Sequence, residues 1–123
     1  MNAGNGAFGL SKTKILRGRR EFGAVFEKGR FCGGSLVDLV WMSNRGEIKV
    51  AFAARKKVIT ACQRNRIKRR LREAFRHEQQ CMLPGATIVF IGTEKILDTS
   101  VSMVRRELQR HLLRISSKLA GRG

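Results

Sequence analysis

Between Gln63 and His77 the sequence runs RNRIKRRLREAFR, thirteen residues that hold six Arg, one Lys and one Glu. Ile67, Leu71, Ala74 and Phe75 recur at i, i+4, i+7 and i+8, the spacing of a helix with one apolar face. At 100° per residue, Asn65, Arg69, Arg72 and Arg76 fall nearly opposite that stripe, with Arg66 and Arg70 on one flank and Lys68 on the other. One face of this helix must pack on a core, and the other must stay at the surface. Thr60 and Gln63 stand at capping-box spacing, so the helix is expected to begin at Ala61.

The charge works against the helix. Arg64 and Arg66 lie in its first turns, where the positive end of the dipole disfavours cations by some tenths of a kcal/mol each. Anions brought to the helix reverse that effect, because exposed N–H groups, the dipole and guanidinium forks all attract phosphate. Arg over Lys favours bidentate contact over simple charge. The whole chain carries 26 Lys and Arg against 9 Asp and Glu, a formal charge of +17, which points to a polyanionic partner. No helix-turn-helix, zinc-finger or zipper pattern is present, and Phe22 and Phe26 stand where they can stack on unpaired bases, so RNA is favoured over DNA.

The chain of 123 residues is the size of one domain, and 42% apolar residues with seven Phe suffice for a small core. Residues 1–13 are expected to form a flexible tail, 14–118 a single RNA-binding domain, and 119–123 a short C-terminal tail. Cys32, Cys62 and Cys81 are odd in number and without a C-x-x-C pair, which argues against a disulfide framework or a structural zinc site and for a reducing compartment. The longest apolar run, ATIVFIG, is far short of the ~20 residues of a membrane helix. A cytoplasmic protein with no membrane partner is expected.

Phe22, Val25 and Phe26 predict a short first helix closed by Gly29. SLVDLVWM and EIKVAFAA read as strands around the turn SNRG, a hairpin with Ile48, Val50 and Phe52 on one face. LPGA breaks the chain, TIVFI suits a central strand, and Asp98 and Thr99 can cap a last helix whose inward stripe is Val101, Val104, Leu108, Leu112 and Ile115. The expected fold is α+β, a small mixed sheet with packed helices in the order αβββαβα.

With its preceding KKV and strand, RNRIKRRLREAFR resembles the signature of the bacterial ribonuclease P protein component, and the likeness runs from about Leu16 and EFGAVFEKG through LPGATIVFIG to the last helix. The resemblance implies a ribosomal-protein-like fold with a left-handed βαβ crossover, against the usual hand. It implies a partner RNA that binds Mg²⁺ and removes the 5′ leader of precursor tRNA, with the protein as helper and no obligate protein partner. By the same resemblance Arg64, Asn65, Arg66, Lys68, Arg69 and Arg72 lie against the catalytic RNA, with Lys56 and Lys57 as the adjoining basic pair; Arg55, Arg70 and Arg76 extend that surface. Phe22 and Phe26, with Val40 and Phe52 on the sheet, are the expected cleft for the single-stranded leader. Three positions depart from the family pattern: Arg55 replaces a usual Ser, Ile59 a usual Gly, and Val40 a common aromatic. The alternative is a ribosomal-type structural RNA-binding protein with no role in tRNA processing.

A stand-alone nuclease is the third class, and it needs clustered carboxylates or paired histidines. Glu21, Glu27, Asp38, Glu47, Glu73, Glu78, Glu94, Asp98 and Glu107 are scattered singly. His77 sits among arginines, His111 lies at the edge of the last apolar stripe, and His77 with Cys81 is too few ligands for zinc. Trp41, between apolar neighbours, reads as packing. No catalytic or metal-binding residue is expected on the polypeptide.

Overall fold

The computed structural model describes residues 14–15, 19–44, 48–78 and 85–121. The expected tail 1–13, the second half of the SNRG turn, Glu47, Cys81 and the start of LPGA lie outside them. The elements are β1 (Lys14–Ile15), α1 (Arg19–Lys28), β2 (Arg30–Cys32), β3 (Val37–Ser43), β4 (Ile48–Ala54), α2 (Ala61–Glu78), β5 (Ala86–Gly92), a 3₁₀ turn (Glu94–Asp98) and α3 (Val101–Gly121). After the two-residue β1, this is the αβββαβα order read from the sequence.

The sheet has the order β1-β4-β5-β3-β2. β1, β4 and β5 are parallel, whereas β3 is antiparallel to both β5 and β2. The expected β3–β4 hairpin is therefore absent: β5 lies between the two strands and bonds to both along seven-residue registers. The physical reason is in β5 itself, whose ATIVFIG sequence is apolar on both faces and gains most from the centre of a covered sheet. β4, α2 and β5 make a parallel crossover between neighbouring strands.

Strand alternation assigns two cores. Val37, Leu39 and Trp41 of β3, Val50 and Ala54 of β4, and Ile88 and Phe90 of β5 face α2 and α3. The α2 stripe Ile67, Leu71, Ala74 and Phe75 is fully buried there, with Val104, Leu108, Leu112 and Ile115 of α3. Trp41 is packing, as read, with the Arg30 guanidinium 5.9 Å over its ring. On the opposite face Val25 of α1 packs on Val40, Ala51 and Val89. Gly92 ends β5 where α2 comes closest: a Cβ there would sit 2.5 Å from Ile67 Cγ2 and 2.8 Å from Ile96 Cδ1.

The caps match in one case and differ in the other. Thr60 Oγ1 accepts the Gln63 N–H at 3.3 Å, and α2 begins at Ala61. Residues 94–98, however, form the 3₁₀ turn, and Thr99 Oγ1 donates to the Lys95 carbonyl at 2.6 Å. Ser100 takes the role at α3 instead, accepting the Met103 N–H. Val101 is the outermost residue of the α3 stripe and is part-exposed. α3 runs on to Gly121, and Leu119 packs against the core.

Candidate nucleic-acid interface

Burial of the α2 stripe turns its polar face outward. Asn65, Arg66, Arg69 and Arg72 are exposed, and Lys68, Arg70 and Arg76 are half-buried. Asn65, Arg66, Lys68 and Arg69 have no hydrogen-bond or ion-pair partner among the described residues, nor do the exposed Lys56 and Lys57 just before the helix. Arg66 and Arg69 are thus available to an outside anion at no internal cost. Arg72 lies over the Phe52 ring at 5.9 Å, a cation–π contact that steadies the guanidinium on the helix surface.

Other expected RNA-binding cations also have internal work. Arg64 donates from Nη1 to the carbonyls of Val58 (2.8 Å) and Arg55 (3.1 Å) and from Nη2 to that of Ala54 (3.4 Å). It staples the end of β4 and the following loop to the first turn of α2, holding Lys56 and Lys57 beside the helix. Arg70 Nη1 donates to the Thr99 carbonyl at 3.0 Å, tying α2 to the segment before α3. Arg76 pairs with Glu73 at 3.3 Å and Arg55 with Asp38 at 3.2 Å. Replacing Arg64 with Ala is expected to cost about 1–2 kcal/mol of stability through the lost charged hydrogen bonds. A thermal melt will show it as a drop of a few degrees, with a smaller effect on the salt dependence of RNA binding than loss of Arg66.

A cleft of about 590 Å³ opens beside the loop, lined by Phe26 of α1, Phe31 of β2, Asp38 of β3, Ala53 and Ala54 of β4, Ile91 of β5, and Arg55, Lys56, Lys57 and Arg64. Its floor is one cross-strand row, because Ala53 pairs with Ile91 and Ile91 with Asp38. The neighbouring row of Ala51, Val89 and Val40 lies under α1.

The expected cleft residues therefore divide. Phe26 is 51% exposed at the opening. Phe22 packs beside the smaller core. Val40 is on the correct face but only 6% exposed, in the cluster with Val25. Phe52 does not belong to the cleft: alternation places it with Val50 on the opposite face, in contact with Phe75 and Phe90 at ring distances of 5.9 and 5.7 Å. Phe31, Asp38 and Ile91 were not expected in the cleft. Phe31 sits on a three-residue edge strand too short to carry a period.

The carboxylates described do not fit a metal centre. Asp38 binds the Gly34 N–H and Arg55, Glu78 binds Arg105, Glu73 binds Arg76 and His77, and Glu107 accepts the N–H groups of Leu36 and Val37. Among the described residues no three His, Cys, Asp or Glu side chains are grouped to hold a cation. His111 is buried, with Nε2 3.0 Å from the Val37 carbonyl, and His77 bonds Glu73. None of the described helices is long and apolar enough to cross a membrane.

Fold and surface together define a small basic α+β protein that presents an arginine-faced helix next to an apolar-floored cleft. The ribonuclease P family model matches residues 10–116, and the chain belongs to that family. The ribonuclease P protein component of Chlorobium phaeobacteroides is 30% identical over 131 residues, covering 87% of this chain and 89% of the relative. That of Shouchella clausii is 30% identical over 113 residues, covering 90% and 92%. Among solved structures, the ribonuclease P protein of Thermotoga maritima superposes with a TM-score of 0.72 at 26% identity, covering 82% of this chain and 96% of its own.

Proposed function

We propose that this chain is the protein subunit of a ribonuclease P holoenzyme, an endoribonuclease in which a catalytic RNA removes the 5′ leader of precursor tRNA in the cytoplasm. Arg66, Arg69 and Asn65 on α2, with Lys56 and Lys57, meet the backbone of the catalytic RNA, while the cleft at Phe26 holds the single-stranded leader. The Mg²⁺ used in hydrolysis is bound mainly by the RNA, while Asp38, Glu73, Glu78 and Glu107 are engaged in the protein's own structure. The polypeptide neutralises crowded phosphates and positions the substrate strand, and bond-breaking belongs to the RNA. The observation that carries this reading is the exposed pair Arg66 and Arg69 on α2, whose helix the Arg64 staple joins to the loop beside the cleft.

Reconstitution tests it. Precursor tRNA cleavage at low Mg²⁺ is followed with the catalytic RNA alone, the protein alone and both together. Cleavage by the pair well above that of the RNA alone, and none by the protein, supports the proposal. Cleavage by the protein alone would move the chemistry to the polypeptide, and failure to stimulate the RNA would favour a ribosomal-type structural role.

A further inference from the structure

Phe31 faces the cleft and is 65% exposed. In the β2–β3 register it stands opposite Val40, the end residue of the row that α1 covers. The ring leans along the sheet: a Cβ built on Gly33 would lie 3.4 Å from its Cε2 and 3.8 Å from Asp38 Oδ1. Ring and carboxylate thus flank the same bare glycine, and a Cβ at 33 would be in van der Waals contact with both.

Asp38 is buried and committed. Its Oδ1 accepts the Gly34 N–H at 3.0 Å and its Oδ2 pairs with Arg55 Nη2 at 3.2 Å. The pair cancels a negative charge that would repel phosphate and fixes an exposed guanidinium next to the ring. Phe26 lines the same space. The volume of about 590 Å³ lies in the ~300–1,000 Å³ range of pockets for drug-sized ligands, the scale of a nucleotide. An open aromatic ring beside a fixed guanidinium is the pairing that holds an unpaired nucleotide, the ring stacking on the base and the fork meeting a phosphate.

We infer that Phe31 is a specificity-determining residue for the leader: it stacks on one unpaired base while Arg55, positioned by Asp38, binds an adjoining phosphate. The inference rests on the reading of this cleft as the leader's site. A purine, with the larger π face, is favoured at the stacked position.

The test walks a single abasic nucleotide along the leader of precursor tRNA and measures affinity for the reconstituted holoenzyme under non-cleaving conditions, with mature tRNA as control. For the wild type, one leader position should cost about tenfold when its base is removed, within the range found for base–aromatic stacking. The Phe31→Ala holoenzyme should bind the intact precursor about tenfold more weakly, show no penalty at that position, and bind mature tRNA as the wild type does. Phe31→Tyr should restore the wild-type profile. A Phe31→Ala profile identical to the wild type would overturn the inference and leave the leader reading standing. Equal wild-type affinity for precursor and mature tRNA, with no sensitive position, would overturn both.

Discussion

Replacing Arg66 and Arg69 together with Ala is expected to weaken binding to the catalytic RNA roughly 25- to 60-fold at about 0.1 M salt and to flatten its salt dependence by about 1.4–1.8 log units per decade, at ~0.7–0.9 per phosphate contact. Both side chains are exposed and have no partner among the described residues, so their loss leaves no orphaned group behind. Folding stability should stay within about 0.5 kcal/mol of the wild type, as for other surface changes. That combination, a flatter log–log plot with an unchanged melt, separates an interface role from a structural one. The contrast with Arg64 makes the pair diagnostic, because Arg64 already spends its donors on the carbonyls of Val58, Arg55 and Ala54.

Glu107→Ala should remove a large part of the domain's stability. Glu107 is buried on α3, and its Oε2 accepts the N–H groups of Leu36 at 2.8 Å and Val37 at 2.7 Å. These bonds fasten the connection between β2 and β3 to a helix far away in sequence. Without the carboxylate, one buried and one part-buried donor lose their partner at ~1–3 kcal/mol each, so a total of about 2–6 kcal/mol is expected. Against a typical stability of ~5–15 kcal/mol this is a large fraction. Urea denaturation should show a lower midpoint with an unchanged slope. Glu107→Gln keeps one acceptor oxygen and should lose less. The same connection carries Gly34, whose N–H meets Asp38, so the Ala variant should also loosen the cleft.

Much of this fold is legible in local patterns. The 3.6-residue period of Ile67, Leu71, Ala74 and Phe75 names the buried face of α2, and the uniform apolarity of ATIVFIG marks a strand covered on both sides. Sheet order is a different matter. Two strands joined by a turn read as a hairpin, and nothing in either strand announces that a third, arriving after an 18-residue helix, will separate them. Phe52 shows the consequence, since its alternation with Val50 was plain but the face taken by α1 depends on how all the layers stack. The wheel of α2 likewise sorts its arginines by direction. It cannot show that Arg64 and Arg70 find carbonyls on the β4 loop and at Thr99, because those acceptors come from tertiary contacts. Ser100 displaced Asp98 and Thr99 as the cap of α3 for a similar reason: residues 94–98 first wind into a 3₁₀ turn. Phe31 had only its bulk and its place before a pair of glycines to mark it, and its position in the cleft depends on a neighbouring strand.

Site-specific photocrosslinking in the reconstituted holoenzyme tests most directly whether α2 and the cleft meet different RNAs. A photoreactive amino acid is placed singly at Arg69, at Phe26 and, as a control, at Gln109 on the exposed face of α3. The expected result is attachment to the catalytic RNA from 69, to the leader of precursor tRNA from 26, and to neither above background from 109. Equal crosslinking from all three positions, or attachment from 69 to neither RNA, would contradict it.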